Sequence, residues 1–179
     1  MSITYKFPFA LKPTTPSHVY LGPNLAAEMT RYFGSSPSNQ VQMRQKQKYV
    51  NFMIKDYLNS REYMINQDYG GFFKKQGWGV YDEKDRKVAH LKVEYSMLRL
   101  RLVVQWGNTQ IRIKFKLFPN EAEIEQKIDG EYINVGSTIV SHVFGRQIEV
   151  DRDAADKTEL EFGQFMAIIH TGWCCSGKL

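Results

Sequence analysis

The chain has 179 residues, enough for one domain with a proper core. Its content, 42% hydrophobic and 24% charged, is that of an ordinary folded protein and excludes a disordered or low-complexity chain. Lys and Arg outnumber Asp and Glu by 24 to 19, so the net charge of +5 favours anionic partners, and no apolar run reaches the ~20 residues of a membrane-spanning helix.

The opening MSITYKFPFALK has no continuous apolar core, so no signal peptide is expected. Residues 1–23 read as an extended N-terminal arm. Pro8, Pro13, Pro16 and Pro23 block a long helix, while Phe7, Phe9, Val19, Tyr20 and Leu21 give apolar grip on the same domain or on a neighbouring copy. Residues 24–179 read as a single α+β domain. A short helix is expected from Asn24 to Phe33, stopped by Gly34, with a loop to Gln40. From there to about Met64 no Gly or Pro occurs, and Tyr49, Phe52, Met53 and Tyr57 recur at helical spacing. This predicts the longest helix, with Arg44, Lys48 and Lys55 along the opposite stripe. That stripe is either a solvated face or an additional basic surface.

Asn66 to Gly79 is turn-rich. Within it Phe72, Phe73, Lys74, Lys75 and Trp78 combine aromatics with lysines, as a membrane or partner loop would; a loop tucking its aromatics into the core has the same composition. Val80–Tyr95 reads as a hairpin around a DEKD turn. The next hairpin, Leu98–Phe118, has the clearest pattern. With Gly107-Asn108 as its loop, Trp106 faces Thr109, Val104 faces Ile111 and Leu102 faces Ile113, so one side is wholly apolar. The other side stacks Arg99, Arg101, Arg112, Lys114 and Lys116. Like charges facing each other are destabilising. The five cations are therefore a solvated face, an anion-binding ribbon, or partners of carboxylates from another element or another copy.

Residues 119–127 fit either a short acidic helix or a strand. Asp129-Gly130 marks a turn, and short strands are expected at 132–135, 139–144 and 147–150. Residues 151–162 read as a polar helix or loop, and Gln164–Cys175 (QFMAIIHTGWCC) as a final strand. The expected fold is thus α+β: an antiparallel β-sheet core of meander hairpins, packed by one long and one or two short helices.

No cluster suited to catalysis stands out. His18, His90, His142 and His170 lack metal-ligand spacing, and the acidic run Asp151–Glu161 lacks the glycine of a calcium loop. Cys174 has no local base, and the adjacent Cys174 and Cys175 offer no disulfide framework, which points to a reducing, cytosolic address. The expectation is a non-enzyme with no cofactor and no metal.

Two stretches resemble rhabdovirus matrix proteins, most of all the small plant-infecting, cytorhabdovirus-type members: Val50–Tyr63 (VNFMIKDYLNSREY), like the family's amphipathic helix, and Leu98–Gly107 (LRLRLVVQWG), like a central strand. The resemblance implies a structural virion protein that self-assembles between the helical nucleocapsid and the envelope, in contact with viral nucleoprotein–RNA and acidic membrane lipids. It would pass through the host cytoplasm during infection. The same cations also suit a basic RNA-binding module such as a viral silencing suppressor.

Overall fold

The computed structural model describes residues 2–6, 16–32, 51–68, 77–96, 99–116, 120–141 and 147–176. Twelve strands follow one another: β1 (Ser2–Lys6), β2 (Ser17–Leu21), β3 (Asn24–Tyr32), β4 (Asn51–Asp56), β5 (Arg61–Asp68), β6 (Gly77–Asp82), β7 (Lys87–Ser96), β8 (Arg99–Trp106), β9 (Thr109–Phe115), β10 (Glu121–Ile128), β11 (Glu131–Ser141) and β12 (Gln147–Asp151). Two helices end the chain, α1 (Arg152–Lys157) and α2 (Phe162–Ser176). Each strand pairs antiparallel with its neighbours in sequence, and β1 pairs with β12, so the sheet closes into an up-and-down barrel.

Period-two alternation drives this arrangement. Phe52, Ile54, Ile65, Val80, Leu91, Val93, Leu102, Val104, Ile111, Ile113 and Ile124 point inward and are almost wholly buried. Closure leaves no sheet edge exposed. A twelve-stranded barrel is wider than side chains alone can fill, and α2 occupies the lumen. Every residue from Phe165 to Trp173 on α2 is buried, as expected for a helix surrounded by protein on all sides. Its contacts reach walls far apart in the barrel. His170 stands edge-on to Phe52 with centroids 4.5 Å apart, Trp173 meets Phe115 at 5.2 Å, and Trp173 Nε1 donates to Thr138 Oγ1 at 3.1 Å.

The tight turns share one rim. Gly107 (φ +54°) and the Asp129-Gly130 pair (φ +51° and +89°) sit in the left-handed region that two-residue hairpin loops require. At this rim α2 enters the barrel, held by Asp56. This buried carboxylate accepts from the backbone N–H of Leu58 (2.9 Å), Asn59 (3.2 Å) and Gly163 (2.7 Å), and from Asn59 Nδ2 (2.7 Å). One side chain therefore shapes the β4–β5 turn and fixes the first turn of α2. Gly163 is required there, because a Cβ would lie 2.7 Å from Asp56 Cβ. Gln164 adds a reciprocal cap, its Oε1 accepting from Glu161 N at 3.2 Å.

The α+β expectation is corrected: the described residues form a closed antiparallel barrel with two helices, one of them inside it. Residues 24–32 are β3, not a helix. The described part of 40–64 is β4, a turn and β5. Phe52 and Ile54 face in while Met53 and Lys55 face out, and Ser60 (φ +52°) completes the turn. Gln164–Cys175 is helix, not strand. The described part of residues 1–23 supplies two staves of this chain's own barrel, with Ile3, Tyr5 and Val19 in the core. The β6–β7 hairpin forms around the DEKD turn, and β8–β9 forms in the register read from the sequence.

Replacing Asp56 by Ala should cost about 2–4 kcal/mol, because it strands a buried N–H of Gly163 and unties the turn. Gly163→Ala should cost about 1–3 kcal/mol through overpacking. Urea denaturation of both variants checks this; unchanged midpoints would remove Asp56 from the anchoring role.

Candidate binding surface

The outer faces of β7 to β10 carry a ladder of charge. Across the strands, Glu94, Arg101, Lys114 and Glu123 lie in one row, so the two bases are flanked by acids. In the next row Arg112 pairs with Glu125. Glu125 is 6% exposed although it is on the outer wall. Its Oε2 accepts from Arg112 Nε at 2.6 Å, its Oε1 accepts from Lys114 Nζ, and the Tyr132 ring covers the Arg112 guanidinium at 3.7 Å. Lys116 is drawn to Glu123 (3.2 Å) and Glu121 (3.3 Å), and these carboxylates raise its pKa. Arg101 keeps a buried Nε with no hydrogen-bond partner among the described residues. The side chain of Arg99 lies outside the described residues.

Three of the five hairpin cations are thus neutralised by acids of their own chain. The signal was present in the sequence. Glu121, Glu123 and Glu125 alternate with Ala122 and Ile124, so the 119–127 segment reads as a strand whose outer face matches β9 in charge. The bulge opposite Ile124 and Glu125 is on β11, where Val135 is skipped, so against β9 the alternation continues: Glu125 meets Arg112 on the outer face and Gln126 meets Ile111 on the inner, and both are buried.

Of the other candidates, Trp78 faces the lumen and is 2% exposed, so it belongs to the core. Lys55 stands at the surface 3.7 Å from Glu62. Phe72, Phe73, Lys74, Lys75, Arg44 and Lys48 lie outside the described residues. The structure does not bring Lys55 to the β8–β9 ladder; β4 and β8 are separated in the sheet by three strands.

The titratable groups on α2 are the buried His170 and the partly buried Cys174 and Cys175. Burial, helped by the nearby Arg31 guanidinium, lowers the His170 pKa to about 3, and its Nδ1 is 3.4 Å from the Tyr5 hydroxyl. Burial pushes the Cys174 thiol up to about 12 and the Cys175 thiol upward as well, so neither is a poised nucleophile. Near the rim, Tyr63 donates to Glu161 Oε2 at 2.6 Å and accepts from Gln164 Nε2 at 3.0 Å; burial and then Glu161 raise its pKa. This network caps α2. Among the described residues no group of three His, Cys, Asp or Glu side chains is placed to hold a metal ion.

Compared with protein-family models, with curated proteins and with solved structures, the chain matches none.

Two measurements follow from this geometry. Glu125→Gln should destabilise the fold by about 1–3 kcal/mol, since it leaves two half-buried cations facing each other. The more exposed Glu123→Gln should cost under about 0.5 kcal/mol. Equal losses in urea melts would contradict the special place of Glu125. His170 gives a pH dependence. A base whose pKa is lowered by folding is protonated first in the unfolded chain, so stability falls as pH drops from 6.5 toward 3. Between pH 7 and 4.5 the expected loss is on the order of 2 kcal/mol. A His170→Gln variant should lose that much less over the same interval; an identical loss would show that His170 does not titrate in this way.

Proposed function

We propose that the protein is a non-catalytic structural module that self-associates and engages an anionic partner, nucleoprotein–RNA or an acidic membrane surface, from the outside of its barrel. The lumen, where a barrel of this width could otherwise take a ligand, is filled by α2. Binding is therefore assigned to the exterior.

The observation that carries the reading is how charge is divided along the chain. Residues 7–15, 33–50, 69–76, 142–146 and 177–179 carry eight of the 24 Lys and Arg and none of the 19 Asp and Glu. The strand ends that flank the internal stretches lie at the rim opposite the tight turns. The anion contact is therefore assigned to this group, including Arg44 and Lys48, rather than to Arg112, Lys114 and Lys116, which have acids of their own. The resemblance to rhabdovirus matrix proteins supports this less, since the stretch likened to a helix is described as β4, a turn and β5.

Sedimentation with anionic vesicles and gel shift with RNA, at low and high salt, test the proposal. Arg44→Gln with Lys48→Gln should weaken binding roughly tenfold at low salt and flatten its salt dependence. Lys116→Gln should leave binding unchanged. Tight binding to free RNA but not to vesicles would favour the RNA-binding reading. No salt-sensitive binding to either would overturn the proposal.

A further inference from the structure

At the rim of tight turns, a groove of about 420 Å³ opens between the β2–β3 turn, the β4–β5 turn and α1 with its link to α2. It has the size of a small-molecule site, and such sites are mostly apolar with a few polar groups that fix orientation. Ile3, Leu21, Leu58, Ala155, Leu160 and Phe162 supply the apolar lining. Apolar surface continues beyond them. Leu58 is 52% exposed, and Leu25 and Tyr57 stand on the same two turns, which are tied together where Tyr57 N donates to Ala26 O at 3.0 Å. Neither turn, 20–25 or 57–60, contains a charged residue.

The charges of the groove come from α1 and the residue after its C-cap: Arg152, Asp156 and Glu159. Arg152 is already matched, since its Nε lies 3.8 Å from Asp156 Oδ2 one helical turn along. The Glu159 carboxylate has no ion pair among the described residues. One base thus stands against two acids, and the surplus charge is that of Glu159. An anionic head entering the groove would meet two acids and one base already engaged. A cationic head meets one unmatched acid.

We propose that this groove binds a small amphipathic amine, with its apolar body on the Leu21, Leu58 and Phe162 side chains and its protonated nitrogen at the Glu159 carboxylate. The two parts of the site act differently. Each methylene withdrawn from water raises affinity by up to about fourfold, so the lining supplies most of the binding. An exposed ion pair adds only about two- to fivefold, so Glu159 sets the sign of the head rather than the strength of the complex. The site is separate from the anion contact assigned to the opposite end of the barrel, and it does not depend on self-association.

NMR titration of the isotope-labelled full chain at pH 7 tests it. Octylamine, protonated at this pH, should give saturable shifts at Leu58, Leu160 and Phe162. Affinity should rise about two- to fourfold per methylene from pentylamine to octylamine. Octanoate should bind roughly tenfold more weakly than octylamine, because attraction is replaced by repulsion. Leu58→Ser should weaken both probes alike, by about fivefold. Glu159→Lys should reverse the preference, so that octanoate binds more tightly than octylamine, which damage to the fold would not produce. Glu159→Asn, whose side chain suits the φ of +56° at this position, should raise the thermal midpoint while weakening octylamine about two- to fivefold. Octylamine that gives no saturable shifts at the groove overturns the proposal, and so does an unreversed preference in a folded Glu159→Lys variant. Groove signals that move with protein concentration but not with octylamine also overturn it, and assign the groove to a second copy of the chain.

Discussion

Everything in this fold depends on filling the bore. A sheet of twelve strands closed on itself encloses more space than inward side chains can occupy, and unfilled space forfeits contacts on every lining residue. The chain solves this with its own C-terminal segment. Because α2 is buried on all sides, its sequence is apolar all round, and its few polar groups find partners inside: Thr171 on a helix carbonyl, Trp173 on Thr138 and His170 near Tyr5. Entry of such a helix needs a fixed point, since nothing about a greasy cylinder sets its depth. Asp56 supplies one. It binds the β4–β5 turn and the Gly163 N–H through the same two oxygens, so the rim and the plug share one anchor.

With α2 in the lumen, charge is arranged on the outer wall, and there the closed register matters. Once β9 sits between β8 and β10, the cations of the hairpin meet Glu125, Glu123 and Glu121 from one neighbour and Glu94 from the other. A hairpin that looks uniformly positive in isolation becomes one half of a mutually neutral wall. Glu125 shows how far this goes: it is buried and bridges two cations, one of which is covered in turn by the Tyr132 ring. Such a cluster is strong only while complete, so an incoming anion would have to displace a carboxylate already in place.

The strands were more legible than the architecture. The β8–β9 register could be read because a slip would mix apolar and charged faces, and the β6–β7 turn because its residues are typical turn formers. Two errors share a cause. Around Phe52 the apolar residues satisfy both the helical and the alternating spacing, and only the turn built on Asp56 decides between them. QFMAIIHTGWCC has no periodicity because it is buried all round; its length, twelve residues, exceeds a usual strand and was the better guide. Those two reversals turned a sheet packed by a helix into a barrel filled by one. In the candidate site, the bases could be seen one by one, but their partners could not, because pairing between non-adjacent hairpins is set by closure rather than by local pattern.

The two rims are unlike for reasons the fold itself supplies. Tight turns demand residues such as Asp129-Gly130 and Gly107-Asn108, and the α1–α2 link adds its acids to the same end. A closed barrel has no edge strand through which copies can pair, so the usual route from sheet to polymer is unavailable to it. Any contact between copies would then use rims or walls. The walls are largely self-neutralised between β7 and β10, whereas one rim presents Leu58 and Phe162 beside a carboxylate held in a disfavoured backbone conformation.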